Sequence, residues 1–290
     1  MDRLLVIMAL TALVHLISTL AYSVRVAGVR TRRLMTAFSL YNIIYLLASV
    51  SNNIQAPLLT SIMEHGIRAA LLEAGISGPP EQLVCLEAYK ERLSLLAGQI
   101  RMVIAASTFG TLLGAFLIPL FVRIFIRAIG LFEETGSVAR AFVRLFSACL
   151  SPGRRRQGRL PLLLALSRIA AWKRPTIPVN FLLANIIVTG LYTTGVLSAL
   201  YAGAMFPDFR STAAMLAAVV NGAATVLGAV VVEPAASSIT DGALRGERDE
   251  ADVKQMAFYM ALTRLLGTVL AQVLFLPGAY FIKFLAQLLA

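Results

Sequence analysis

The sequence predicts an all-α, polytopic integral membrane protein with six transmembrane helices and additional amphipathic helices at the membrane surface. Three observations carry this reading. Hydrophobic residues make up 58% of the 290 and charged residues 14%, with a mean hydropathy of +0.79, a composition outside the soluble range. The apolar runs recur near the ~20 residues a helix needs to cross hydrocarbon, without the alternating ten-residue pattern of a barrel. The basic residues behind the net charge of +11 sit between the runs, where a positive-inside bias accounts for them without any nucleic-acid partner.

The spans fall at about 4–23, 34–51, 102–122, 179–204, 212–234 and 256–280. Loops on one side hold Arg25, Arg30, Arg32 and Arg33, the basic stretch from Arg123 to Arg174, then Arg245, Arg248 and Lys254. The opposite side holds few cations, which places both termini outside the cell. The chain reads as one transmembrane domain: a first three-helix half over 1–130, a basic connector over 131–175 and a second half over 176–290. The halves start on opposite sides, so an inverted 3+3 arrangement is open, although no repeat identity is visible. Cys85 and Cys149 fall on opposite sides, against a disulfide.

The first span gathers its polar residues. At 100° per residue, Thr11, His15, Ser18, Thr19, Tyr22 and Arg25 occupy roughly a third of the circumference. Two readings stand: this flank lines a polar cavity, with His15 as an intramembrane ionisable group, or its hydroxyls bond between packed helices. Arginines follow the apolar stretch rather than precede it, which favours an uncleaved span over a signal peptide.

The second span carries Asn42, Ser49 and Asn53 on one face and ends in Ser51-Asn52-Asn53-Ile54-Gln55-Ala56-Pro57. An interfacial helix is expected over 56–78, then a Gly78-Pro79-Pro80 turn. A helix from Glu81 leads into the third span and brings Arg101 to the outer boundary. Ala106, Gly110 and Gly114 form a small-residue ridge there. In the connector, Val138 to Cys149 and Leu160 to Trp172 suit surface helices, with the run Arg154, Arg155, Arg156 and Arg159 attracting anionic lipid.

The fourth span holds Asn185, and the fifth holds Asn221 before ending at Glu233-Pro234. Arg264 in the sixth span is the expected partner of Glu233, as a structural ion pair or as part of a transport site. Pro277-Gly278 is expected to kink or end the last helix. No phosphate-binding Gly-rich loop, no metal-ligand pairing and no nucleophile with a base beside it is present. No enzyme, metal or cofactor is expected.

The stretch from His15 through Tyr22, Arg25, Gly28 and Arg30 to Thr31 resembles the signature of the Amj family, the alternate lipid II flippases of bacteria. Ser39-Leu40, Asn42, Ser51-Asn52, Gln55-Ala56-Pro57-Leu58-Leu59 and Phe132-Glu133-Glu134-Thr135-Gly136-Ser137 continue the likeness. One departure is Ala48-Ser49-Val50, where the family pattern has an arginine before the Ser-Asn pair; Arg101 is the candidate replacement. The resemblance implies translocation of undecaprenyl-pyrophosphate-linked peptidoglycan precursor, lipid II, to the outer leaflet of the cytoplasmic membrane. Under it, Arg25, Arg30 and Arg33 collect the diphosphate through guanidinium forks. His15, Thr19, Tyr22, Asn52 and Gln55 line the path, and Arg101 receives the head group. Anion exit is favoured by about 2.3 kcal/mol per charge per 100 mV, so no ATP is required, and His15 offers a site for proton coupling. Six spans are few for so large a head group, which predicts a homodimer or a laterally open groove. The alternatives are a scaffold of cell-wall synthesis acting through the connector, or a carrier of another polyprenyl-linked or anionic lipid.

Overall fold

The structure is a computed structural model and describes residues 3–74, 86–137, 140, 141, 143, 144, 147 and 177–289. The Gly78-Pro79-Pro80 turn, Cys85, Cys149, the arginine run and most of the two connector helices lie outside the described residues.

Among the described residues, six helical segments are long and apolar enough to cross a membrane. They are α1 (Arg3–Thr31), α2 (Leu34–Ala74), α3 (Glu87–Thr135), α4 (Val179–Met205), a broken fifth segment, and α8 (Glu250–Leu289). The fifth runs as a 3-10 turn (Pro207–Phe209), α5 (Arg210–Met215), α6 (Ala217–Leu227), a π turn (Gly228–Val232) and α7 (Glu233–Arg245).

Two expected boundaries differ. The helix expected at the interface after the second span is continuous with it, because α2 passes through Pro57 to Ala74. Proline removes one backbone hydrogen bond there, a loss that helices inside membranes accommodate by local adjustment. The fifth segment does not end at Glu233-Pro234. Glu233 donates its N–H to the Gly228 carbonyl, a five-residue π step, and Pro234 occupies the first turn of the renewed helix α7, where its missing N–H has no partner to lose. The last helix continues through Pro277 to Leu289.

α1 and α2 meet in a tight turn. Arg33 N–H donates to Gly28 O at 2.9 Å and Arg32 N–H to Val29 O at 3.1 Å, with Arg32 at φ 55°; this is the Schellman closure with arginine where glycine is usual. At the far end of α3, Gly136 takes φ 61° and returns its N–H to Phe132 O.

The most extensive packing is α1 on α3 and α4 on α8, and both pairs use one device. A Cβ on Gly114 of α3 would fall 2.8 Å from Thr19 Cβ and 2.9 Å from Leu16 O of α1. A Cβ on Gly267 of α8 would fall 2.6 Å from Thr189 Cβ and 2.7 Å from Ile186 O of α4. In each pair a glycine is pressed onto a threonine and the carbonyl three residues before it, the close backbone approach that small residues permit in membranes. Counted from these contacts, His15 stands four residues before Thr19 as Asn185 does before Thr189, and Thr111 three before Gly114 as Arg264 does before Gly267. Buried apolar side chains cluster around Phe275 and Tyr201 near Arg101, and around Phe181, Met256, Phe125 and Leu40 towards the opposite, arginine-bearing end of α1.

Candidate functional site

The polar flank of α1 is packed, not open. Thr11 Oγ1 donates to Ile7 O at 2.8 Å and accepts from Gln55 Nε2 at 2.6 Å. Ser18, Thr19 and Ser23 return their hydroxyls to Val14, His15 and Leu20 carbonyls of their own helix at 2.8, 2.7 and 2.5 Å. Tyr22 is buried among apolar side chains. Of these hydroxyls, only that of Thr11 ties α1 to another helix, through Gln55 of α2. His15 differs: its Nδ1 lies 3.5 Å from Thr111 Oγ1 of α3. The Tyr41 hydroxyl donates to Ile17 O at 3.2 Å. Thus α2 and α3 both meet α1 through polar groups within one turn of His15.

The arginines at the C-terminal end of α1 are engaged by carboxylates from three different elements. Arg25 Nη2 lies 2.6 Å from Glu233 Oε2 at the π turn, with the arginine side chain 9% and the glutamate 62% exposed. Arg25 also sits over the Phe38 ring, 5.3 Å from its centroid. Arg30 donates twice to Glu250 Oε1, at 2.9 and 2.6 Å, and Lys254 shares that carboxylate at 2.7 Å. Arg33 pairs with Glu133 at 2.5 Å. The expected Glu233–Arg264 pair is therefore corrected: Glu233 is taken by Arg25, because the π turn at 228–232 carries it to the arginine end of α1. Just beyond α7, Arg245 binds Glu247 through two hydrogen bonds, 2.7 and 2.9 Å, which hold that carboxyl below the usual carboxylate range.

Among the described residues no carboxylate pairs with Arg264, and its Nε is buried without a hydrogen-bond partner. Arg101, exposed near the other end, donates to Gln272 O at 3.0 Å, while Gln272 Nε2 returns a bond to Arg101 O at 2.9 Å. Arg101 faces the Phe275 ring at 5.8 Å, so its partners are neutral.

α2 turns a polar face outwards. Asn42, Ser49, Asn52 and Asn53 are exposed, with Tyr45 between them, its ring tilted against that of Tyr41 at 6.0 Å. Gln55 is buried against Thr11. In the second half, Asn185 is buried and satisfied by Met260 O at 3.1 Å and Thr263 Oγ1 at 2.8 Å. Asn221 presses its Oδ1 against Gly195, buried and unpaired.

The structure thus joins Arg25 to Glu233 and sets His15 against Thr111, and leaves Asn42, Asn52 and Arg101 at the surface. Sequence reasoning did not single out Thr111, Tyr41, Glu133 and Glu250 as partners. The Glu133-Glu134 pair was readable as a counter-charge for the arginines, since both lie at the same end of their helices.

The chain matches the family described as Amj, "Alternate to MurJ", over residues 10–286. It is 34% identical over 286 residues to the lipid II flippase Amj of Bacillus subtilis (strain 168), covering 98% of this chain and 97% of that protein. No solved structure matches.

Proposed function

The chain belongs to the Amj family, and from that premise we infer that it is a lipid II flippase, carrying the undecaprenyl-linked peptidoglycan precursor across the bacterial cytoplasmic membrane. The observation that carries the reading at the level of residues is the outward face of α2. Asn42, Ser49, Asn52 and Asn53 are exposed on a membrane-spanning segment, where a helix meeting only lipid tails would be apolar. Such a stripe gives a sugar-peptide head group hydrogen-bonding partners along its route while the prenyl tail stays in lipid.

The topology assigned from charge puts the Arg25–Arg33 end at the inner leaflet and Arg101 at the outer one. Lipid II phosphates then compete with Glu233, Glu250 and Glu133 for Arg25, Arg30 and Arg33. Phosphate oxygens accept guanidinium forks as carboxylates do, so the ion pairs and the lipid are exchangeable partners. With all three pairs formed and the α1 flank packed, the inner end is closed. Opening it parts α1 from Glu233 and Glu250 in the second half. The repeated glycine–threonine contact supports two inverted halves that move as units, in the manner of alternating access. The paired charges also suit attraction of anionic lipids at the inner surface.

The test is translocation of labelled lipid II in liposomes holding the purified protein. Wild type is expected to move it, and replacing both Asn52 and Asn53 with Leu is expected to slow it at least tenfold. Equal rates would sink the reading. The α2 face is also where a second copy would bury polar groups. A homodimer there is distinguished by Ser49→Cys, which cross-links between copies only if the face is an interface.

A further inference from the structure

We propose that Arg264 forms a binding site within the membrane for the diphosphate of a prenyl-linked substrate, occupied midway through transport. The inference rests on the flippase reading and names a residue that reading does not require.

Arg264 stands about ten residues along α8 from Lys254, roughly 15 Å at the rise of an α-helix. That is more than an arginine side chain spans, so the guanidinium does not reach the inner surface by snorkelling. Nor does it share the outermost face of the helix: Leu262 and Leu266 are exposed, while Arg264, partly buried, lies about 160° round the helix from each. A charged group held there is costly unless paired. Every other basic residue named above along the path has a partner: Arg25, Arg30 and Arg33 have carboxylates, and Arg101 has Gln272. Arg264 has none among the described residues, and its Nε is sealed without an acceptor.

The recurring glycine–threonine contact sharpens the point. Arg264 stands three residues before Gly267 as Thr111 does before Gly114, and His15 four before Thr19 as Asn185 does before Thr189. Asn185 is already satisfied by Thr263 and the Met260 carbonyl, so Arg264 is not needed there. The missing component is an anion. A diphosphate fits because its oxygens accept a guanidinium fork; a prenyl chain supplies the anchor that keeps it in the membrane. Tyr45 on the polar face of α2, its ring tilted against that of Tyr41, marks the side from which such a head group would arrive.

The test uses the full-length protein in detergent micelles, with a short-chain prenyl diphosphate, the matching monophosphate and inorganic pyrophosphate as probes, read by thermal unfolding. Wild type should be stabilised most by the prenyl diphosphate. Arg264→Gln should raise its half-saturating concentration tenfold or more, and Arg264→Lys less. An unchanged concentration in Arg264→Gln overturns the site. If pyrophosphate acts as well as the prenyl form, the site takes a free anion and the lipid assignment is overturned. Should Arg264→Gln not fold, wild type still decides. Modification of Arg264 by phenylglyoxal, read by peptide mass spectrometry, must be blocked by the prenyl diphosphate; unprotected Arg264 overturns the proposal. Lipid II transport is measured in parallel. Wild type that transports while Arg264→Gln binds normally fails this site alone. Wild type that binds through Arg264 yet transports nothing fails the flippase reading alone.

Discussion

Arg25 and Glu233 form an unequal pair, one side chain 9% and the other 62% exposed, and the two ends of the bond should respond differently to mutation. Glu233→Ala leaves a buried guanidinium without its anion. The cost of a fully buried break is about 3–5 kcal/mol, and screening at the exposed carboxylate reduces it to about 1–2 kcal/mol. Arg25→Ala frees a glutamate that water can solvate, so the loss beyond the Phe38 contact should be smaller. Thermal unfolding of the two variants and their double mutant checks the order; equal losses would contradict it. Arg32 makes a second residue-scale case. It holds φ 55° in the turn between α1 and α2, a conformation that costs a residue bearing a Cβ about 1–2 kcal/mol. Arg32→Gly should therefore stabilise the protein by about 1 kcal/mol, unless the arginine itself binds something in the assay. The Arg25–Glu233 pair was not legible in the sequence. Glu233 looked like the partner of Arg264 because the fifth span ends at the first and the sixth begins a turn or two before the second. Which helix each faces depends on rotation about the helix axis, and one π turn changes that rotation.

At the scale of elements, that π turn is the informative irregularity. Pro234 cannot donate to the carbonyl four residues back, so the ladder widens at 228–232 and Glu233 bonds to Gly228 instead. Pro234→Ala restores the donor and permits regular α-helix, turning Glu233 away from α1. The coupling energy between Arg25 and Glu233 in a double-mutant cycle is then expected to fall towards zero. Glycines divide into two groups on physical grounds. A Cβ on Gly110 would run into the Ala12 backbone, so Gly110→Ala should cost about 1–3 kcal/mol as overpacking. Gly98 has open space around the same position; Gly98→Ala should be neutral or stabilising by up to ~1 kcal/mol from helix propensity. Reading α2 from sequence failed for a related reason. Pro57 looks like a boundary by local rules, yet one lost hydrogen bond does not end a helix already committed on both sides.

For the whole molecule, the six spans and their all-helical character were legible because hydropathy and length act locally, without reference to packing. The polar flank of α1 was legible as a stripe, but not its fate. Thr11, Thr19 and Ser23 hydroxyls satisfy their own helix, Gln55 of α2 adds a bond to Thr11, and Arg25 at the end of the stripe meets Glu233 of α7. The recurrence of the glycine–threonine contact was invisible in sequence, because it rests on two residues in each of two helices and on no shared run. It has a practical corollary. Since α1 closes on α3 and α4 on α8, each three-helix bundle carries its own principal interface. Two polypeptides divided between residues 147 and 177 and expressed together should therefore find one another and copurify. Restoring lipid II movement with such a split pair would indicate that continuity of the backbone between them is dispensable, and that recognition between the bundles is written in their facing surfaces.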